Sequence, residues 1–198
     1  MVGKLLIYVA FIASVISIIG FFLAHSGKEN FLKLGRIFFH ITSISIITAS
    51  LYLLYNILTH NFQLSYVWEQ SSTDLQLPLL ISTFWAGQEG SFMLWGLLTA
   101  VIGIFLLNYV SKGERMEPQV MAMFTLVLSF ITLILILKSP FHYLWESFPK
   151  EVDYGFMPPE GRGLNPLLQN FWMAIHPPTL FVGFASLTVP FAFAMGAL

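Results

Sequence analysis

The 198-residue sequence contains no cysteine. That absence excludes disulfides, zinc–thiolate sites, iron–sulfur clusters and thiol nucleophiles together, and leaves His, Asp and Glu as the strong metal ligands. Charge is the second scarcity. Asp, Glu, Lys and Arg make up 10% of the residues, against roughly 25% in a soluble domain. With 57% hydrophobic residues and a mean hydropathy of +0.77, the chain cannot cover itself with a polar surface and must use lipid as solvent. A net charge of −1 supplies neither a nucleic-acid footprint nor a polybasic patch, so membrane lipid is an expected partner and nucleic acid is not.

What is present is long apolar runs. About twenty apolar residues cross a hydrocarbon core roughly 30 Å thick. Five stretches are long enough: 5–24, 37–58, 92–110, 120–137 and 179–198. They lack period-2 alternation, which excludes barrel strands and predicts an all-α, polytopic membrane protein forming a single membrane domain. The first run is longer than a secretory h-region and has no small-x-small site before the basic segment 25–36, so it reads as a retained span. Pro118 is predicted in the first turn of the fourth span, and Pro190 is predicted to kink the fifth.

Basic residues set the expected orientation. With the N-terminus outside, the inner loops hold Lys28, Lys33, Arg36, Lys112 and Arg115, whereas the long outer segments 59–91 and 138–175 hold only Lys138, Lys150 and Arg162. Those outer segments are too long for structureless connectors and mix aromatics with polar residues: Tyr66, Trp68, Phe84 and Trp85 in one, Tyr143, Trp145 and Tyr154 among others in the second. An interfacial aromatic belt accounts for any one of these. Together they predict amphipathic pieces lying on the outer face.

Three stretches carry candidate chemistry. In 84–95, FWAGQEGSFMLW, Gly87 and Gly90 permit close backbone approach, Ser91 can cap a helix, and Glu89 stands at the mouth of the third span. Glu89 either complements the positive helix N-terminus or has a functional role between its two glycines and two tryptophans. In 161–166, GRGLNP, Arg162 is a donor for carboxylates or phosphates, or a solvated loop arginine. His176 is followed directly by Pro177 and Pro178, which predicts an imidazole at a helix entrance, outside the regular hydrogen-bond ladder, at a membrane boundary. His25, His60 and His142 read as interfacial or loop residues. His40 lies within the second span, near enough to its inner end to reach water.

The residues 85–95, WAGQEGSFMLW, resemble the W-G-x-H-E-G-S-x-L-L-W signature of the CcmF-type cytochrome c haem lyases. The block 161–184 is similar to that family's G-R-D-L-N-P-L-L-Q segment followed by H-P-P-x-L-x-x-G-Y, and 62–78 resembles the stretch that precedes the first signature. Departures are Ala86 for glycine, Gln88 for histidine, Gly163 for aspartate and Phe184 for tyrosine.

The resemblance implies cytochrome c biogenesis: haem b, as substrate, is held at the outer membrane face while its vinyl groups are joined to the thiols of a CxxCH motif in apocytochrome c. It implies His176 as an axial ligand of the haem iron. A neutral imidazole suits iron, and the Pro177–Pro178 exit stiffens its direction. Trp85 and the outer aromatics are expected as walls of a haem cleft and Arg162 as a propionate contact, with Glu89 ordering its loop and Asn165 belonging to the same haem-binding block. The resemblance also implies haem-delivery and thiol-reducing maturation proteins as partners, in a bacterial inner membrane. The family's tryptophan-rich segment, second outer-face histidine and membrane-haem histidines have no counterpart in these residues, and no basic anchor follows the fifth span. The sequence therefore reads as a split subunit or the N-terminal portion of a longer protein, with the remaining half as a partner. A non-catalytic scaffold for a partner's haem site is the alternative. An ion or proton transporter subunit would need ionisable groups at mid-depth, which the spans scarcely offer.

Overall fold

Each of the five apolar runs folds into a long helix, because in lipid every backbone polar group must be satisfied within its own segment. In a computed structural model, which describes all residues except Glu114, Arg115 and the side chain of Met173, these are α1 (Val2–His25), α2 (Asn30–Leu58), α5 (Gln88–Val110), α6 (Glu117–Leu137) and α8 (Phe171–Gly196). All five are long and apolar enough to cross a membrane. Between them lie three short helices, α3 (Ser65–Gln70), α4 (Leu77–Ser82) and α7 (Leu144–Ser147). Among the described residues there is no β-strand, only one antiparallel bridge between Leu64 and Tyr143.

Small residues let the helices approach closely, as van der Waals packing in a bilayer requires. α1 and α2 touch backbone to backbone at Gly20 and Gly35, where a Cβ on Gly20 would stand 2.8 Å from the Gly35 nitrogen. Ser17 donates to the Gly35 carbonyl at 2.9 Å across the same crossing. α6 packs on α1, α5 and α8, and α8 leans on α5 through Trp95, whose ring centroid lies 5.9 Å from that of Phe184. Pro118 falls in the first turn of α6. One face of the bundle ends in an ion pair: Glu117, 4% exposed, accepts two hydrogen bonds of 2.6 Å from the Arg36 guanidinium.

The other face carries the N-terminus and both long connectors, which interlock. The Met1 ammonium donates to Tyr143 Oη at 2.8 Å, and Lys4 pairs with Glu146 at 2.5 Å. Ser65 N–H donates to His142 C=O and Leu144 N–H to Gln63 C=O, both at 2.9 Å. α2 turns onto this face through His60, held at φ 53° so that the amides of His60 and Asn61 satisfy the carbonyls of Ile57 and Asn56. Tyr143 stacks on Trp145 with centroids 4.4 Å apart.

Two boundaries differ from the sequence reading. α2 begins at Asn30, a full turn and more before the apolar run. α8 begins at Phe171, eight residues before the expected span, and runs through Pro177 and Pro178. His176 is therefore inside a helix rather than at its entrance. The local proline preference against helix is overridden in a helix packed along α5 and α6, and the Trp85 indole donates to the Ala174 carbonyl in the turn before the prolines.

Candidate functional site

The site is assembled on the interlocked face from the loop before α5, the 161–168 segment and the first turns of α8. Trp85 closes a 3₁₀ turn, Thr83–Trp85, after α4, and Gly87 caps α5. Ser91 does not cap that helix; its hydroxyl turns back to the Trp85 carbonyl at 3.0 Å. Beneath the loop lies Tyr66, 4% exposed. Its hydroxyl is within 2.9 Å of the Thr83 carbonyl and 3.0 Å of the Phe84 carbonyl, and accepts the Gly87 amide at 3.2 Å. Burial pushes the Tyr66 phenol up, so it stays a donor. A Cβ on Gly90 would collide with both Tyr66 Oη and the Phe84 carbonyl, which explains why glycine stands there.

The GRG segment folds back on the end of α3. Arg162 N–H donates to the Trp68 carbonyl at 2.7 Å and Gly163 N–H to the Ser71 carbonyl at 3.1 Å. A side chain on Gly161 would run into that Ser71 carbonyl, and Gly163 sits at φ 85°, so both glycines are required by the backbone path. The Arg162 guanidinium lies over the Trp68 ring, 4.2 Å from its centroid. Glu160 fastens the segment to Thr73, accepting its hydroxyl and, at 2.9 Å, its amide. The Thr73 hydroxyl and amide, with the Gly161 amide, hold the Glu160 carboxyl below its ordinary range. Glu69 goes the other way: burial pushes its carboxyl up, Glu89 adds to the rise, and Arg162 opposes it. Glu69, Glu89 and Arg162 thus form one electrostatic neighbourhood.

The two motif stretches meet α8 at a cleft of 230 Å³ lined by Ser82, Trp85, Ala86, Ser91, Leu164, Leu168 and Pro177. Trp85 is half-buried, and its indole N–H donates to the Ala174 carbonyl at 3.1 Å. His176, next to the lining Pro177, is exposed. Asn165 is not turned toward this cleft's chemistry: its side chain accepts the Leu167 amide at 3.0 Å and caps the 3₁₀ turn Pro166–Leu168. Among the described residues no three His, Asp or Glu side chains gather as a metal site. Chemically the face offers the exposed His176 imidazole, next in the chain to an apolar and aromatic wall, and a guanidinium over a tryptophan ring two residues before that wall's Leu164. An imidazole suits iron, an apolar wall a planar macrocycle and a guanidinium its carboxylates, while neither His176 nor Arg162 lines the cleft itself. The cleft is smaller than the roughly 300–1,000 Å³ of pockets that enclose a ligand of drug size.

Of the residues expected from sequence, Trp85 and Pro177 come together in the cleft, with His176 and Pro178 beside them in the chain. Glu89 and Arg162 share the Glu69 neighbourhood. Tyr66 and Trp68, expected among the outer aromatics as walls of a cleft, do not line this one: Tyr66 lies beneath the loop and Trp68 against Arg162, while Leu164 and Leu168, which had no individual role in the sequence reading, do line it. The 62–78 similarity was the available signal for the first two, and the leucines of the second motif for the others.

The family model for the cytochrome C assembly protein matches residues 85–198. The chain is 30% identical over 179 residues to the cytochrome c-type biogenesis protein CcmF of Haemophilus influenzae, covering 88% of this chain and 26% of that protein. It is 30% identical over 181 residues to CcmF of Escherichia coli, covering 87% and 26%. A solved structure of the cytochrome c heme lyase CcmF superposes with a TM-score of 0.80 at 28% identity, covering 99% of this chain and 30% of that one. The chain spans less than a third of the length of these relatives.

Proposed function

The chain belongs to the cytochrome C assembly protein family, and from this membership we propose that it forms the N-terminal part of a haem lyase, holding haem b as substrate for attachment to apocytochrome c. His176 binds the iron axially through a neutral imidazole. Trp85, Pro177, Leu164 and Leu168 form one wall against the macrocycle, and Arg162, held on Trp68, meets a propionate. Attachment adds each S–H of a CxxCH motif across a vinyl group, with no net redox change. Both thiols belong to the cytochrome, in keeping with a sequence that has no cysteine.

The observation that carries this reading is the meeting in one cleft of residues from both motifs, Trp85 from the first and Leu164, Leu168 and Pro177 from the second, with the exposed His176 next to Pro177 in the chain. The cleft's 230 Å³ encloses only part of a macrocycle. The second ligand and remaining walls therefore come from the rest of the lyase, against the outward side of α8, where Trp172 is 76% and Leu187 65% exposed. Apocytochrome c and the haem-delivery and thiol-reducing maturation proteins complete the partner set.

The location is a bacterial inner membrane with the site on the periplasmic face. Lys28, Lys33, Arg36 and Lys112 support this, since they concentrate in or beside the short connectors opposite the site, whereas Lys4, Lys138, Lys150 and Arg162 are spread over the N-terminus and two long segments; Arg115 lies outside the described residues. The test is haem content and cytochrome c maturation of the complete assembly carrying His176→Ala. Both are expected to fall, and a variant with unchanged Soret absorbance and unchanged maturation contradicts the ligand role. A scaffold role, favoured by the small size of the cleft, predicts instead that Trp85 and Glu89 variants reduce assembly while haem spectra per assembled complex stay intact.

A further inference from the structure

In an α-helix the carbonyl of residue i accepts the amide of residue i+4. Pro178 has no amide hydrogen, so within α8 the Ala174 carbonyl has no donor from its own helix. It is satisfied instead by Trp85 Nε1 at 3.1 Å, a donor from 89 residues earlier in the chain. The next carbonyl, Ile175, accepts the Thr179 hydroxyl at 3.0 Å. At Ala174, in the turn that carries His176, a side-chain donor thus stands where a regular helix would use an amide, and the Thr179 hydroxyl adds a second side-chain bond one carbonyl further on.

The donor itself stands on a fixed platform. Tyr66 ties together the Thr83, Phe84 and Gly87 backbone, and Ser91 ties the Trp85 carbonyl to the first turns of α5. A continuous chain of contacts therefore runs from buried Tyr66 through the loop and Trp85 to Ala174, two residues before His176. The Pro177 ring lines the cleft alongside Trp85.

We propose that Trp85 is a positioning residue for His176, acting by donating its indole N–H to the Ala174 carbonyl that Pro178 leaves without a helical partner. Trp85 and the His-Pro-Pro sequence are then two parts of one device. The prolines open a carbonyl in the helix, and the tryptophan uses that carbonyl to set the turn from outside. The functional weight of this device rests on the reading of His176 as an iron ligand; the positioning itself does not.

The proposal predicts an interaction that bulk packing does not. Trp85→Phe keeps an aromatic ring but removes the donor, so the His176 turn loosens. Pro178→Ala restores an amide that can reach the Ala174 carbonyl from within α8, so in that background loss of the indole N–H has little further effect. Because these 198 residues contain no cysteine, His176→Cys introduces their only thiol, and labelling is read by mass spectrometry on the peptide that carries residue 176. The thiol's labelling rate with a membrane-impermeant maleimide, measured in the complete membrane assembly, reports on the turn without any haem.

Trp85→Phe is expected to change that rate roughly five-fold, the weight of about one net hydrogen bond, and to change it less than two-fold when Pro178→Ala is also present. A parallel series with His176 intact reads the Soret position, which should shift with Trp85→Phe and return toward the starting value in the Pro178→Ala double variant. Equal labelling changes in both backgrounds, or no change in either, overturn the proposal. A Pro178-dependent labelling change accompanied by a Soret band indifferent to His176→Ala upholds the positioning and overturns the ligand reading alone.

Discussion

The hydroxyl of Tyr66 occupies the space that a side chain at Gly90 would need. The glycine of this motif is therefore fixed by a phenol buried beneath the loop, and Tyr66 in turn holds three backbone groups of residues 83–87. Gly90→Ala is expected to destabilise the protein by about 1–3 kcal/mol through overpacking, read as a lower midpoint in thermal unfolding of the solubilised protein. A midpoint equal to that of the unsubstituted protein would remove Tyr66 from this role.

Arg162 and Trp68 form a cation–π pair with a 4.2 Å separation. Their coupling in a double-variant cycle of Trp68→Leu and Arg162→Gln should be about 0.5–1 kcal/mol at this exposed position. Arg162→Lys is expected to keep the charge but lose part of the contact, because an ammonium lacks the planar guanidinium surface that can stack on an aromatic face. Additive effects of the two single variants would show that the pair is independent.

On the opposite face, Glu117 is nearly buried and takes two hydrogen bonds from Arg36. Arg36→Met leaves a buried carboxylate without its cation and should cost roughly 3–5 kcal/mol. Adding Glu117→Gln to Arg36→Met is expected to restore most of that loss, since an uncharged amide has far less to desolvate. The check is the thermal midpoint of the three variants, and a double variant no better than Arg36→Met alone would contradict the account.

The attachment of the GRG segment to Thr73 is expected to depend on pH. Glu160 has a depressed folded-state value, so its contribution is present above the ordinary carboxylate range and is lost as pH falls through that depressed value. Glu69 has the opposite sign. Its value is raised, chiefly by burial, so it favours the folded state at low pH and its contribution is lost as pH rises through the raised value. Hydrogen-exchange protection of the Thr73 and Gly161 amides should therefore fall on acidification below about pH 4, and Glu160→Gln should abolish that dependence while lowering protection at neutral pH. Protection that is independent of both pH and Glu160 would refute the assignment.

The five spans were legible because a membrane helix needs a long apolar run and leaves a signal about twenty residues wide. The family was legible because two motifs occur in order, and both expectations are borne out by the fold and the comparisons. The start of α8 was not legible. Proline argues against helix around His176, and the donor that compensates for Pro178 comes from Trp85, far away in sequence. Ser91 was read as a helix cap for the same local reason; its hydroxyl instead reaches back to Trp85. Trp68 beneath Arg162 and Tyr66 beneath Gly90 are likewise pairings between distant segments, which periodicity and propensity cannot supply. Asn165 was expected only as a member of the haem-binding block, and its side chain caps the Pro166–Leu168 turn.

The most direct test of the central claim is the haem spectrum of the complete assembly carrying His176→Gly, recorded with and without added imidazole. The account predicts that the variant loses its low-spin, nitrogen-ligated signature and that imidazole, entering the space of the missing side chain, restores it together with cytochrome c maturation. A low-spin spectrum and full maturation in His176→Gly without imidazole would contradict it.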